Sequence, residues 1–251
     1  DFYIGANVQA SIDSAATMLG WQSYPQTALI AGEGLLSYQM LYRYSIDPII
    51  ELETRRHKFT YQGRSYLQED LISTGQSGSS NLFYNELKHE FRVTEKFGFV
   101  WGGSHIRNAV NADSTFGTPI SDQYGVFAQI QAKIGKRINV VGGVRYNIED
   151  VTGDTTETRT GGEVTLRTIN RPIFRAGLNY QPAEGTFLRA SWGQAVRSPS
   201  IAERFTTTAA GPIIIVPAPD IEVEEGWTAE IGVRQLFQFG KNVRGFADLS
   251  F

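Results

Sequence analysis

The sequence predicts an all-β fold, an antiparallel transmembrane β-barrel segment of about eleven strands. Three observations favour this class: apolar and polar residues alternate, tight turns alternate with long polar segments, and the strands are long. The strands run for about ten to thirteen residues, against roughly five to six in soluble sheets and roughly nine to eleven in membrane barrels. The length therefore favours strands that cross a bilayer at a tilt.

Alternation of apolar and polar residues defines each strand. Ile138, Val140 and Val144 share one face of an extended chain, whereas Asn139 and Arg145 lie on the other. The same period recurs along the chain and predicts strands near 2–12, 35–46, 49–61, 82–93, 96–107, 123–134, 137–149, 172–182, 185–195, 227–237 and 242–251.

Two kinds of connection separate these strands. Tight turns are predicted at 47–48, 94–95, 135–136, 183–184 and 238–241. Long polar loops are predicted at 13–34, 62–81, 108–122, 150–171 and 196–226. Strict alternation of the two kinds puts every tight turn at one end of the sheet and every long loop at the other, so we expect Gly135 and Gly153 at opposite ends.

Two predicted strands fit this pattern less well. Arg55, Arg56, His57 and Lys58 crowd the middle of 49–61, which indicates either strand beyond the bilayer or a misread register. Asn85 and His89 lie on the otherwise apolar face of 82–93.

The faces distinguish a membrane barrel from a soluble β-sandwich, in which long loops fall at either end without order. We predict that the apolar faces contact lipid and that the polar faces line a wet interior. The predicted outward residues are Val140, Val144, Ile130, Leu178 and Ile231. The predicted inward residues are Arg145, Gln129, Gln131, Arg175 and Glu230.

Composition excludes several classes of function. The 251 residues contain no cysteine, which excludes a disulfide scaffold and thiolate chemistry, and the net charge of −3 suggests no nucleic-acid partner. The three histidines have no metal-binding spacing, and no nucleophile motif or phosphate-binding loop occurs. We therefore expect no enzyme activity, no catalytic residues, no metal site and no cofactor.

Motifs in the last third of the chain carry a resemblance. VRSPS at 196–200 with Glu203, APDIEVE at 218–224 and EIGVR at 230–234 resemble the later barrel strands of TonB-dependent outer-membrane receptors. The hairpin at 124–146 is similar to one in the same family. The resemblance is good from about residue 120 onward and vague before it.

The resemblance implies an outer-membrane nutrient uptake receptor, energised through TonB, for a scarce ligand such as a metal chelate, cobalamin or glycan. It implies outer-membrane lipid and the TonB complex as partners, the latter through an N-terminal region absent from this sequence, and a surface lipoprotein as a further partner. The alternatives are a passive porin-like channel, which has no plug, and a soluble β-rich interaction module.

The loop at 196–226 carries the candidate ligand-binding residues, Arg197, Glu203 and Arg204. The alternative for each is a solvated ion pair, or a contact that ties the loop to its neighbours. The apolar run at 213–216 in the same loop could pack against adjacent loops, extend a strand or meet a ligand.

We expect residues 1–251 to form a partial barrel wall, with the plug domain outside this sequence. An odd number of strands leaves the first and the last running in the same direction, which does not suit antiparallel closure. Plugged outer-membrane transporters need about twenty-two strands. About half of such a wall is therefore expected here.

Overall fold

The computed structural model describes residues 1–18, 36–73, 75, 77–112, 117–154, 163–206, 208–210, 213–216, 218, 220–240 and 243–251. Eleven strands form one antiparallel sheet, and two short strands form a separate hairpin. In chain order the elements are β1 Phe2–Met18, β2 Leu36–Glu53, β3 His57–Ile72, β4 Gly78–Thr94, β5 Phe97–Asn111, β6 Ile120–Ile134, β7 Ile138–Asp154, β8 Glu163–Ala183, β9 Thr186–Arg197, α1 Ile201–Phe205, β10 Thr208–Ala210, β11 Ile213–Ile215, β12 Glu224–Phe239 and β13 Val243–Ser250.

The large sheet is a meander, ordered β1-β2-β3-β4-β5-β6-β7-β8-β9-β12-β13. Every neighbouring pair is antiparallel, and among the described residues β13 does not pair with β1, so the sheet is unclosed. The predicted all-β class and the count of eleven strands in the sheet are confirmed. No helix among the described residues is long and apolar enough to cross a membrane, a finding that concerns helices alone.

The connections lie at the ends of the sheet predicted for them, although the one after β3, at 73–77, is short. The turns after β2, β4, β6, β8 and β12 lie at one end of the sheet, the turn rim, and the connections after β1, β3, β5, β7 and β9 lie at the other, the loop rim. Gly135 and Gly153 lie at opposite ends of β7. Gly135 and Gly185 have φ of 64° and 79° at the turn rim, a left-handed conformation that glycine adopts without steric cost.

The predicted turn at Asp47-Pro48 is wrong, because both residues lie inside β2. Pro48 pairs with Ala6 of β1, while the ladder to β3 is interrupted between Ile46 and Ile49, where the missing proline N–H leaves no donor. The turn is at 54–56 instead, closed by the Thr54 N–H donating to the His57 carbonyl at 2.8 Å. Arg55 and Arg56, which crowded a predicted strand, therefore lie in the turn.

The predicted loop at 62–81 is mostly strand, since β3 continues to Ile72 and β4 begins at Gly78. Gln68 and its partner Ser80 lie on one face of these two paired strands, whereas Glu69 and its partner Ser79 lie on the other. The loop predicted at 108–122 shrinks to 112–119 for the same reason. The loop predicted at 13–34 starts later, because β1 continues to Met18, and 19–34 lie outside the described residues. Most of the loop predicted at 150–171 is strand, at 150–154 and 163–171, and 155–162 lie outside the described residues.

Cross-strand register places the predicted residues on two separate faces. An apolar row crosses five strands through cross-strand partners Ala132, Val140, Leu178, Ala190 and Ile231. We call this side of the sheet the apolar face and the opposite side the polar face. On the polar face, Arg175 donates to Gln129 at 3.0 Å.

The polar residues that disturbed one predicted apolar face have partners there. Tyr61 donates its hydroxyl to Asn85 Oδ1 at 2.6 Å, and a ring nitrogen of His57 lies 3.1 Å from one of His89. The imidazole of His89 stacks on Phe59 at 4.2 Å between ring centroids. These contacts give Asn85 Oδ1 and His89 Nε2 partners on an apolar surface, which lowers the cost of placing them there, whereas the buried His89 Nδ1 has no hydrogen-bond partner among the described residues.

Candidate functional site

The candidate site lies at the loop rim, where the segment after β9 folds back onto the polar face of β7. α1 places the Phe205 ring against Gly153, and the ring is 2% exposed. A Cβ at Gly153 would lie 2.6 Å from Cζ of that ring, so only glycine leaves room for this contact. Val151 is equally buried two residues away. The helix is therefore seated on the wall rather than standing above it.

α1 begins with a capping box. The Ser200 hydroxyl accepts from the Glu203 N–H at 3.2 Å, and the Glu203 carboxylate accepts from the Ser200 N–H at 2.7 Å. The Ser200 N–H and, at 3.0 Å, the Ser200 hydroxyl both donate to the Glu203 carboxylate. These two bonds, together with the nearby Arg197, hold the pKa of Glu203 below its ordinary value. The sequence S-I-A-E thus fixes a one-turn helix locally.

Arg197 joins this helix to the neighbouring strand. Its guanidinium donates twice to the Glu203 carboxylate, at 2.7 and 3.0 Å, and once to Glu224 of β12 at 3.2 Å. The Arg197 side chain is about half exposed, with a relative accessibility of 53%. Exposed ion pairs contribute little individually, but the bidentate geometry fixes the direction in which the chain leaves β9.

Arg204 is buried beneath the same segment, with 2% of the residue exposed. Burial lowers its pKa, while the negative charges of Glu149, Asp220 and Glu203 oppose that shift. Glu149 is itself 8% exposed and accepts from the Ser121 hydroxyl at 3.0 Å. The Arg204 carbonyl accepts from the Ala218 N–H at 2.8 Å, which fastens the far end of the loop to the helix.

The structure therefore brings Arg197, Glu203 and Arg204 together around one short helix. Their contacts within the chain are the ion pairs and loop-fastening contacts that formed the alternative to ligand binding. A ligand-binding role for the three residues stays a prediction. The apolar run at 213–216 contributes β11, which pairs with β10, and Val216 after it is 69% exposed.

Sequence reasoning missed the partners that hold this segment. Glu149 and Gly153 are more than forty residues before α1, and Asp220 follows it beyond a hairpin. One sequence signal could have pointed to them. Near the loop-rim end of β7, an acid and a glycine occupy inward positions.

Charged residues also cover the rest of the polar face. Most pair across adjacent strands, and examples are Arg43 with Asp13, Arg64 with Asp47, Lys58 with Glu51, Arg92 with Glu53 and Arg234 with Asp248. Such pairs need water or charge around them, which agrees with a wet interior surface. Within the described ranges, no group of three or more His, Asp or Glu side chains is arranged to hold a metal ion.

Comparison with known proteins gives a family and a fold. The family model described as TonB dependent receptor-like, beta-barrel matches residues 6–251. No curated protein sequence matches the chain significantly.

Solved structures match the chain at low sequence identity. The alcaligin outer membrane receptor FauA from Bordetella pertussis has a TM-score of 0.65 at 12% identity, over 100% of this chain and 40% of its own. The hemophore receptor HasR from Serratia marcescens, solved with its hemophore HasA and heme, has 0.59 at 13%, over 97% and 44%. The ferric yersiniabactin uptake receptor FyuA from Yersinia pestis has 0.57 at 12%, over 95% and 40%. The chain thus spans less than half the length of these proteins.

Proposed function

Because the chain belongs to the TonB-dependent receptor β-barrel family, we propose that it forms part of the wall of an uptake receptor energised through TonB. The match over residues 6–251 is the observation that carries the proposal. Members of this family are outer-membrane β-barrels. The similar solved structures are transport receptors rather than enzymes, and they include receptors for alcaligin and yersiniabactin and a copper transporter.

The architecture supports a barrel wall that contacts lipid on one side and water on the other. The apolar face suits outer-membrane lipid, and the polar face with its ion pairs suits the wet interior of a barrel. α1 folds onto the polar face, so the long loop after β9 closes part of the interior at the loop rim. We assign the loop rim to the cell exterior, where a receptor meets its ligand.

The proposed complete barrel extends beyond this chain. An unclosed sheet of eleven strands is about half of the roughly twenty-two strands in plugged transporters. We propose that further strands complete the wall, that a plug domain fills the lumen, and that a TonB-contacting segment belongs to the same receptor. The proposed ligand is a metal chelate, cobalamin or a glycan, and a surface lipoprotein would assist with the last.

Growth on limiting nutrients tests the proposal. Strains lacking the receptor gene, lacking TonB or lacking neither are grown with ferric chelates, cobalamin or an oligosaccharide as the limiting source. We expect one nutrient class on which both deletion strains grow poorly at low concentration. Poor growth of the receptor deletion with normal growth of the TonB deletion would indicate a passive channel instead. Recovery of the protein in the soluble fraction would indicate a soluble module.

A further inference from the structure

Two arginines near the middle of the polar face lack the carboxylate partner that most of their neighbours have. Arg145 on β7 and Arg175 on β8 have only neutral hydrogen-bond partners among the described residues. Most other cations on this face are paired, as in Lys88 with Glu90, Arg92 with Glu53, Arg189 with Asp248 and Arg234 with Asp248. The difference leaves local positive charge on the wall.

Neutral contacts hold the Arg145 guanidinium flat against the sheet. Its Nε donates to Asn147 Oδ1 and its Nη2 to Ser104 Oγ, both at 2.7 Å. It lies 5.7 Å from the centre of the Phe127 ring. A Cβ at Gly125 would lie 2.9 Å from the guanidinium carbon, so glycine at this position gives the side chain its path across β6.

Arg175 is positioned in a similar way. It is the cross-strand partner of Gly143, where an added Cβ would lie 3.3 Å from its Nε, and its Nη2 donates to Gln129 at 3.0 Å. A guanidinium carries five N–H groups, and these contacts use two on Arg145 and one on Arg175. The remaining donors form the fork geometry that binds two oxygens of a carboxylate or phosphate at once.

Both arginines line one open hollow of about 370 Å³ in the wall. The charged side chains that line it are Glu86, Lys88, Arg145 and Arg175, three cations and one carboxylate. Phe127 and Gln129 supply an apolar surface and a neutral polar group. The volume is sufficient for a small polycarboxylate or for one oxygen-rich arm of a larger molecule.

We propose that this hollow is an anion-binding position on the lumen wall, in which Arg145 and Arg175 bind carboxylate or phosphate oxygens. The inference rests on the proposed function, since it needs the polar face to line the interior, and it indicates anionic, oxygen-rich substrates. The same chemistry has two sources, a mobile anion in the lumen or an acidic side chain of a segment that folds inside the barrel.

Chemical modification of arginine tests the position in the purified full-length receptor. Phenylglyoxal labelling of Arg145 and Arg175 is followed by peptide mass spectrometry, in citrate and in potassium chloride of equal ionic strength. Arg137 is the internal control, because it lies at the turn rim and bonds only the Pro182 carbonyl among described residues. If the anion is mobile, citrate slows labelling of the two arginines by at least about threefold and leaves Arg137 unchanged.

The result differs if the bound carboxylate belongs to another segment of the receptor. Both arginines then label more slowly than Arg137 even without citrate, and the R145Q/R175Q variant has a lower thermal denaturation midpoint. Fast labelling that citrate does not change would overturn the proposal. Slow labelling with an unchanged midpoint in R145Q/R175Q would also overturn it. The assay contains no TonB, so its outcome is separate from that of the growth test.

Discussion

Two regions of the sheet differ in whether their hydrophobic side chains are buried. One is the seat of α1, where Phe205 contacts β7 on the polar face, and the other is the apolar face. Phe205 and Val151 at the seat are each 2% exposed. On the apolar face, Val126 is 61% and Ile231 66% exposed. In a soluble protein such side chains would form the core, whereas here the fully buried Phe205 and Val151 lie where a loop folds inward.

The two regions are stabilised by different surroundings. Protein packing and buried charge hold the seat of α1, so its stability depends on particular residues of β7. Lipid covers the apolar face, so its stability depends on the absence of charge rather than on close packing with other side chains. Substitutions in the two regions should therefore be detected by different assays, hydrogen exchange at the seat of α1 and unfolding in lipid vesicles for the apolar face.

The largest expected effect is at the seat. Phe205→Ala should destabilise docking of α1 by about 3 to 5 kcal/mol, because the ring is fully buried against Gly153. Hydrogen exchange of the Ala218 amide, which bonds the Arg204 carbonyl, should accelerate in the full-length receptor. Ile215→Ala is the control, since that side chain is 46% exposed and should change the exchange little. Unchanged exchange in Phe205→Ala would show that the helix is held by other contacts.

A lysine on the apolar face should have the next largest effect. Ile130→Lys near the middle of the membrane should lower the free energy of unfolding by about 2 to 4 kcal/mol, since it places a charge in lipid. Gln131→Lys, one residue later on the polar face, is the matched control and should cost little. Urea unfolding of the full-length receptor in phospholipid vesicles measures both. Equal losses would contradict the assignment of the two faces.

Removing the helix cap should have a smaller effect at the seat. Ser200→Ala should weaken docking of α1 by about 1 kcal/mol, because the Glu203 amide loses its acceptor. Ser200→Thr keeps a hydroxyl and should restore most of the protection of the Ala218 amide. If threonine were no better than alanine, the cap would not contribute to docking.

The smallest expected effect is a response to acid. The pKa of Glu203 is lowered in the folded state, so the stability it contributes is full above the ordinary carboxyl pKa and is lost as pH falls through the lowered value. A spin label at exposed position 202 should become more mobile only as pH falls below the ordinary glutamate pKa of 4.5. Glu203→Gln should be mobile at every pH. A transition well above pH 5 in the unmodified sequence would reverse the sign of the pKa shift.

Part of the candidate site was visible in the sequence. Arg197, Glu203 and Arg204 stand out because they follow an apolar strand abruptly, and the capping box is encoded within four residues. Their environment was not visible. Whether Arg204 is solvated or buried depends on Glu149 and Asp220, which only the folded chain brings near it.

The sequence by itself determined the number of strands in the sheet and the faces of residues in strands such as β6 and β7, because a side-chain period of two is a local property. Only the tertiary structure decided where strands end. Asp47-Pro48 has the stronger local turn signal, but pairing of β2 with both β1 and β3 places it inside a strand and leaves the turn at 54–56. Local preferences are weak compared with a ladder of hydrogen bonds on both sides, so strand ends and the seat of α1 follow from contacts between distant segments.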